Sequence, residues 1–256
     1  MTKKIYFASD AHFGSLLVKD PHEQERKMVR WLDSIRTDAD EIFLMGDIFD
    51  FWFEYKKVVP KGFVRILGKL ADLTDAGIKI HFFTGNHDIW TFGYLEEEIG
   101  LIVHHKPEII ERNGKHFFLA HGDRLGDHSL GVRIIQSIFH NRLCQFLFRL
   151  LPPRLGLNFG LVWSKSNRLK PKRNGYASFL GENKEILVRF AKEVATTEHI
   201  DFFVFGHRHI ILDLIIKPNC RVCILGDWIT HFSYGVFDGT HFSIEYFEPE
   251  SNLNPL

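Results

Sequence analysis

The chain has 256 residues, 45% of them apolar, so it can bury a large core, and one domain with an insertion accounts for that length more economically than two equal domains. Its 32 basic and 32 acidic residues balance, which by itself points to neither nucleic acid nor an acidic partner. Three cysteines, Cys144, Cys220 and Cys223, cannot close a disulfide framework, and the first residues run straight into an apolar strand instead of a signal peptide, so the expectation is a cytoplasmic protein.

In chain order, IYFASDAH is a buried strand that stops at Asp10 and His12. Asp20-Pro21 with Glu23 then supplies an N-cap, a first-turn proline and a capping acid, and Met28, Val29, Trp31, Leu32 and Ile35 recur with helical spacing. IFLMGD is a second strand ending in Asp47. Helical spacing returns from about Phe63 to Ala76 and stops at Gly77, a natural C′ residue. IHFFTGNHD ends in Asn86, His87 and Asp88, FFLAHGD in His121 and Asp123, and FFVFGHRH in His207 and His209, with a further helix expected from Ile186 to Val194. The late strands RVCILGDW, SYGVFD and HFSIEYF crowd together as an antiparallel region does. Cys220 and Cys223 have C-x-x-C spacing, but without a second pair and inside an apolar run they read as buried cysteines.

Strand, helix, strand in succession means βαβ units, and strand ends in an open α/β sheet face one crevice. Five apolar runs ending in Asp, Asn or His therefore bring oxygen and imidazole ligands together, although a lone His at such a place is commonly structural. Asp-x-His puts two side chains on one face, and a carboxylate such as Asp47 can bridge two cations. Imidazoles mixed with carboxylates and the Asn86 amide oxygen favour two divalent ions, manganese first, then iron or zinc. Two such ions activate water and offset charge on a phosphate ester or anhydride, so no covalent nucleophile is needed.

The clusters at 10, 47, 86 and 121 lie 35 to 39 residues apart, yet the next waits until 207. The extra length coincides with a stretch, 128–181, that holds no Asp or Glu and nine Lys or Arg; the rest of the chain has 23 basic and 32 acidic residues, a net of −9. We therefore expect a body formed by 1–127 and 182–256 with a basic, apolar helical insertion at 128–181. Arg133, Arg142, Arg149 and Arg154 interrupt its apolar runs and Pro152-Pro153 ends a helix, which argues for an amphipathic helix pair and against a membrane span. That pair either packs on the core, or is a lid whose apolar face meets lipid chains while its bases meet phosphates.

SDAH, GDIFD, GNHD, HGD and GHRH, in this order from Ile5 to about His209, resemble the five blocks of the calcineurin-like metallophosphoesterases. The resemblance implies an α/β fold, a β-sandwich flanked by helices. It implies one metal on Asp10, His12, Asp47 and His209 and a second on Asp47, Asn86, His121 and His207. His87 would contact the scissile phosphate and assist the leaving group, with Asp88 orienting it. Trp52, the LGDW around Asp227 and Trp228, and the insertion resemble the branch that hydrolyses UDP-2,3-diacylglucosamine to lipid X and UMP in lipid A synthesis, whose best-known members carry Arg in place of His87. That implies a UDP-lipid substrate and peripheral contact with the inner membrane, with no obligate protein partner. Trp52, Ser164, Ser166, Asn167, Lys170, Lys172 and Arg173 are the candidate substrate contacts. A phosphoesterase acting on a nucleotide, phosphoprotein or nucleic acid stays open, nucleic acid being disfavoured because the arginines of the insertion alternate with aliphatic residues. So does a non-catalytic binding module on the same fold.

Overall fold

The computed structural model describes residues 3–127, 129–169 and 178–248. In order these form β1 (Lys4–Ala8), α1 (Pro21–Ile35), β2 (Ala39–Leu44), α2 (Val64–Asp75), β3 (Lys79–Phe83), α3 (Tyr94–Glu97), β4 (Ile102–His104), β5 (Glu108–Arg112) and β6 (Lys115–Leu119). Then come α4 (Leu130–His140), α5 (Arg142–Arg149), α6 (Pro153–Leu169), α7 (Ile186–Val194), β7 (Phe202–Phe205), β8 (Ile211–Lys217), β9 (Cys220–Leu225), β10 (Ser233–Phe237) and β11 (Phe242–Tyr246).

The strands make two sheets, in the orders β11-β10-β1-β2-β3-β4 and β5-β6-β7-β9-β8. Alternation along each strand explains why two sheets stack. Ile5, Phe7, Phe43, Met45, Phe117, Leu119, Phe202 and Val204 face the space between the sheets. Their neighbours Tyr6, Ala8, Ile42 and Leu44 face outward beneath Met28, Trp31 and Leu32 of α1 and Ile66, Leu67 and Leu70 of α2. Phe118, Ala120, Phe203 and Phe205 likewise lie beneath Leu187, Val188 and Ala191 of α7. Strands buried on both faces must read as unbroken apolar runs, as these do.

The expected helices are present, α1 with Asp20 accepting from the Glu23 N–H at 2.9 Å. The late strands depart from the single antiparallel region expected of them: β10 and β11 pair antiparallel in the first sheet, whereas β9 lies parallel to β7 and antiparallel to β8 in the second. Cys220 and Cys223 are free thiols that fall in different cores, because an odd spacing along a strand points side chains to opposite faces.

Among the described residues of the insertion the expected helix pair is α4 and α5, and α6 follows from Pro153. Asn141 closes α4, and its side chain caps α5 by accepting from the N–H groups of Leu143 and Cys144 at 2.9 and 3.1 Å. Phe139, Phe148, Leu157 and Leu161 pack on Phe51, Phe53 and Trp90 of the body. Leu130, Ile134, Leu143, Phe146, Leu147 and Leu150 are exposed, at 75%, 59%, 64%, 55%, 54% and 65%. The insertion thus packs on the core with part of its apolar surface and presents the rest outward. Among the described residues no helix is long and apolar enough to cross a membrane.

Candidate metal centre

The C-terminal ends of β1, β2 and β3 in one sheet and of β6 and β7 in the other meet, and each delivers one of the expected clusters. Main-chain hydrogen bonds join neighbouring loops: Asp10 N–H to Gly46 O at 3.1 Å and His12 N–H to Asp47 O at 2.9 Å after β1 and β2, Trp52 N–H to His87 O at 3.2 Å after β2 and β3, and Gly206 N–H to His121 O at 3.0 Å after β6 and β7. Asp10, His12, Asp47, His207 and His209 all have φ between 48° and 64°, a region that L-residues seldom occupy and that persists only where the surroundings enforce it. Each kink falls where a strand ends in one of the candidate ligands. Gly85 and Gly206 are required for close approach, since a Cβ on Gly85 would collide with the Asp47 carboxylate and main chain and one on Gly206 with the Ser9 hydroxyl and Asp10.

Within this crevice the side chains form overlapping groups, one of Asp10, His12 and His209 and another of Asp47, His121 and His207, with Asp47 also meeting His12 and His87. Asp47 Oδ1 accepts from the His87 N–H at 2.9 Å. Its Oδ2 lies 3.6, 3.3 and 4.0 Å from the Nε2 atoms of His12, His121 and His87, the place a bridging oxygen would take. Asp10 divides its labour in the same way. Oδ2 accepts from Ser9 Oγ at 2.6 Å and His207 N–H at 2.9 Å, which leaves Oδ1 3.7 and 3.4 Å from His12 and His209 Nε2.

Oxygen acceptors hold the far nitrogens of the rings. His121 Nδ1 is 2.8 Å from Met45 O; a carbonyl only accepts, so Nδ1 carries a proton and the ring presents Nε2 to Asp47. His209 Nδ1 meets Asp227 Oδ2 at 3.3 Å and His12 Nδ1 meets Asp50 Oδ1 at 3.3 Å. This is how metal-binding imidazoles are oriented. Burial, then His121, pushes His207 down to about 3, keeping that ring neutral. Burial would raise Asp47, but His121 and His87 outweigh it and hold the carboxyl well below its usual range. Asp10 Oδ1, Asn86 Oδ1 and His121 Nε2 are buried and make no hydrogen bond, as oxygen and imidazole donors suited to divalent ions would be.

The other expected site residues divide. His87 lies beside His12, with ring centroids 4.9 Å apart. Asp88 does not orient its ring: it accepts main-chain N–H bonds from Asp47, Ile48, Phe49 and Gly85 at 3.2, 2.7, 3.2 and 2.7 Å, and so knits the β2 and β3 loops. Asp50 O holds His87 Nδ1 instead, at 2.8 Å. Trp52 is fully buried against Phe49 and donates to Glu54 at 3.0 Å, which makes it a core residue and not a substrate contact. Ser164 is buried on α6 and donates to Asp50; Ser166 is exposed on the same helix. Lys170, Lys172, Arg173 and the Asn167 side chain lie outside the described residues. Sequence reasoning gave no role to Asp50 or Asp227. Asp227 ends the apolar run CILGD, the same signal as the ligands, while Asp50 stands three residues after Asp47 with no periodic cue.

A cavity of about 340 Å³ opens beside the centre, between the insertion and the body. Asn86 and His87 share its walls with Phe51, Trp90, Ile138, Phe139, Phe148 and Trp163. A further cluster, His116, His199 and Asp201, lies at the opposite, N-terminal ends of β6 and β7. There Asp201 is already engaged by Lys115 at 3.0 Å and the His116 N–H at 2.9 Å, so it reads as a surface ion pair.

The calcineurin-like phosphoesterase family model matches residues 3–210. The chain is similar to a UDP-2,3-diacylglucosamine hydrolase of Porphyromonas gingivalis, 44% identical over 260 residues that cover 97% of this chain and 99% of that protein. It is similar to another of that name from Actinobacillus succinogenes, 25% identical over 226 residues, covering 88% and 92%. Among solved structures it is similar to the E. coli phosphoesterase Yfce, 15% identical, with a TM-score of 0.48 and coverage of 97% and 95%.

Proposed function

The chain belongs to the calcineurin-like phosphoesterases, and from that premise we propose that it hydrolyses the pyrophosphate of UDP-2,3-diacylglucosamine to 2,3-diacylglucosamine 1-phosphate and UMP. One observation carries the substrate class: the apolar cavity beneath the insertion shares Asn86 and His87 with the metal centre. A substrate with a phosphate at one end and acyl chains at the other fits that continuity, each buried methylene contributing about 0.8 kcal/mol.

Asp10, His12, Asp47 and His209 would hold one divalent ion and Asp47, Asn86, His121 and His207 the other. Such ions supply Lewis acidity that activates water and offsets charge at phosphorus. Imidazole with carboxylate and amide oxygen makes manganese the first choice, then iron or zinc. His87 keeps Nδ1–H on the Asp50 carbonyl, so Nε2 is the ring atom able to hold a proton toward the leaving group. Phe51, Trp90 and Phe139 exclude water from the chain side of the site.

Residues 1–127 and 182–256 form the catalytic body, and 128–181 is the lid. Its outward Leu130, Leu143 and Leu147, with Arg133, Arg142 and Arg149 and no acidic residue, suit peripheral contact with the cytoplasmic face of an anionic membrane. The test is product analysis with manganese. Release of UMP and the diacylglucosamine 1-phosphate is expected, whereas turnover of small phosphodiesters with none of the UDP-lipid would return the chain to its family-level description.

A further inference from the structure

Helix α6 reaches the metal centre through a stripe of small residues. Gly156, Gly160 and Ser164 recur every four residues on one face. A side chain at Gly156 would run into the Tyr55 hydroxyl, and one at Gly160 into the Phe51 ring. The backbone of α6 therefore lies directly on the segment after β2. At the third position the fully buried Ser164 Oγ donates to Asp50 Oδ2 at 2.9 Å.

Asp50 passes this contact on. It is 1% exposed, and its other oxygen, Oδ1, stands 3.3 Å from His12 Nδ1. The opposite nitrogen of His12 faces the centre, 3.7 Å from Asp10 Oδ1 and 3.6 Å from Asp47 Oδ2. We infer that Asp50 is a positioning residue through which the seating of α6 sets the His12 ring, so that the ion held by Asp10, His12 and His209 binds more weakly when the insertion is not docked. This rests on reading those residues as ligands. A buried carboxylate hydrogen-bonded at Oδ2 and within ion-pair distance of an imidazole at Oδ1 has one favoured orientation. Without the serine donor, Oδ2 is left buried without that hydrogen bond, a cost it relieves by rotating away from His12. His121 at the second site is held by Met45 O and does not depend on Asp50.

The experiment titrates zinc into metal-free, full-length protein against a competing chelator, which yields two dissociation constants. Asp50→Asn should weaken one site by roughly 10–100-fold, as loss of a supporting carboxylate does elsewhere. Ser164→Ala should weaken the same site by a smaller factor, and the double variant should be no weaker than Asp50→Asn, since the serine acts through Asp50. The other constant should stay at its parent value throughout. Melting curves of the metal-free variants report a merely structural loss. Unchanged constants in Ser164→Ala, whatever its melting point, or additive losses in the double variant would overturn the inference; should Asp50→Asn not fold, Ser164→Ala decides alone. A parent protein that takes up fewer than two ions would instead overturn the ligand assignment.

Discussion

The Nδ1–H of His87 donates to the main-chain oxygen of Asp50 at 2.8 Å, which fixes the ring with Nε2 turned toward the Asp47 carboxylate 4.0 Å away. A main-chain acceptor is not removed when a neighbouring side chain is changed, so the ring's own chemistry can be tested by replacing His87 itself.

As a proton donor to the leaving group, His87 should tolerate replacement by Ala with metal retained and a rate loss of about 10²–10⁴-fold. UMP leaves readily, so the loss on a UDP-lipid should be smaller than on an alkyl phosphodiester. Rates on the two substrates, with metal content for each preparation, check this; equal losses would count against a role in acid catalysis.

Asp47 stands in two side-chain groups, one with His12 and His87 and one with His121 and His207, where a bridging ligand would be expected. Asp47→Ala should lose hydrolysis of every substrate together with most bound metal, whereas Asn86→Ala should chiefly empty one site. Elemental analysis of the purified variants decides it, and two equivalents of transition metal on Asp47→Ala would exclude bridging.

The proposed lid gives a prediction in which binding and stability part company. Leu147 is 54% exposed and contributes little to the core, so Leu147→Glu should leave the melting midpoint nearly unchanged. Removing about a leucine's worth of lipid contact, about 1.5–3 kcal/mol, should raise KM for a diacylated substrate and weaken binding to anionic vesicles. Hydrolysis of a small soluble phosphodiester should barely respond. Parallel kinetics would show it, and equal loss on both substrates with a lowered midpoint would support simple packing.

Away from the metals, His81 stacks on Phe43 with ring centroids 4.3 Å apart. Burial first, then His104 and Arg112, pushes its pKa down to about 4. The unfolded ring binds a proton near pH 6.5, so between about pH 6.5 and 4 the unfolded state holds more protons and stability falls as pH drops. His81→Gln should lose less of its melting midpoint from pH 7 to pH 5 than the parent. Metal-free proteins should be compared, so that titration of the ligand histidines is common to both; parallel slopes would contradict the prediction.

The strand-end clusters were legible in the sequence because both signals are local. Strands covered on two faces must be apolar throughout, and polar side chains stand where they stop, so Asp10, His12, Asp47, Asn86, His121, His207 and His209 could be picked out as candidate ligands before any partner strand was known. Composition was equally direct for 128–181, since an acid-free stretch is visible without coordinates. Only the tertiary structure decided the rest. Whether β9 pairs with β7 or β10, whether Trp52 faces a ligand or the core, and whether Asp50 or Asp88 holds the His87 ring all depend on groups distant in sequence. The left-handed φ values of Asp10, His12, Asp47, His207 and His209 also follow from tertiary contacts, because those conformations are unfavourable for an isolated chain and are held by hydrogen bonds between loops distant in sequence.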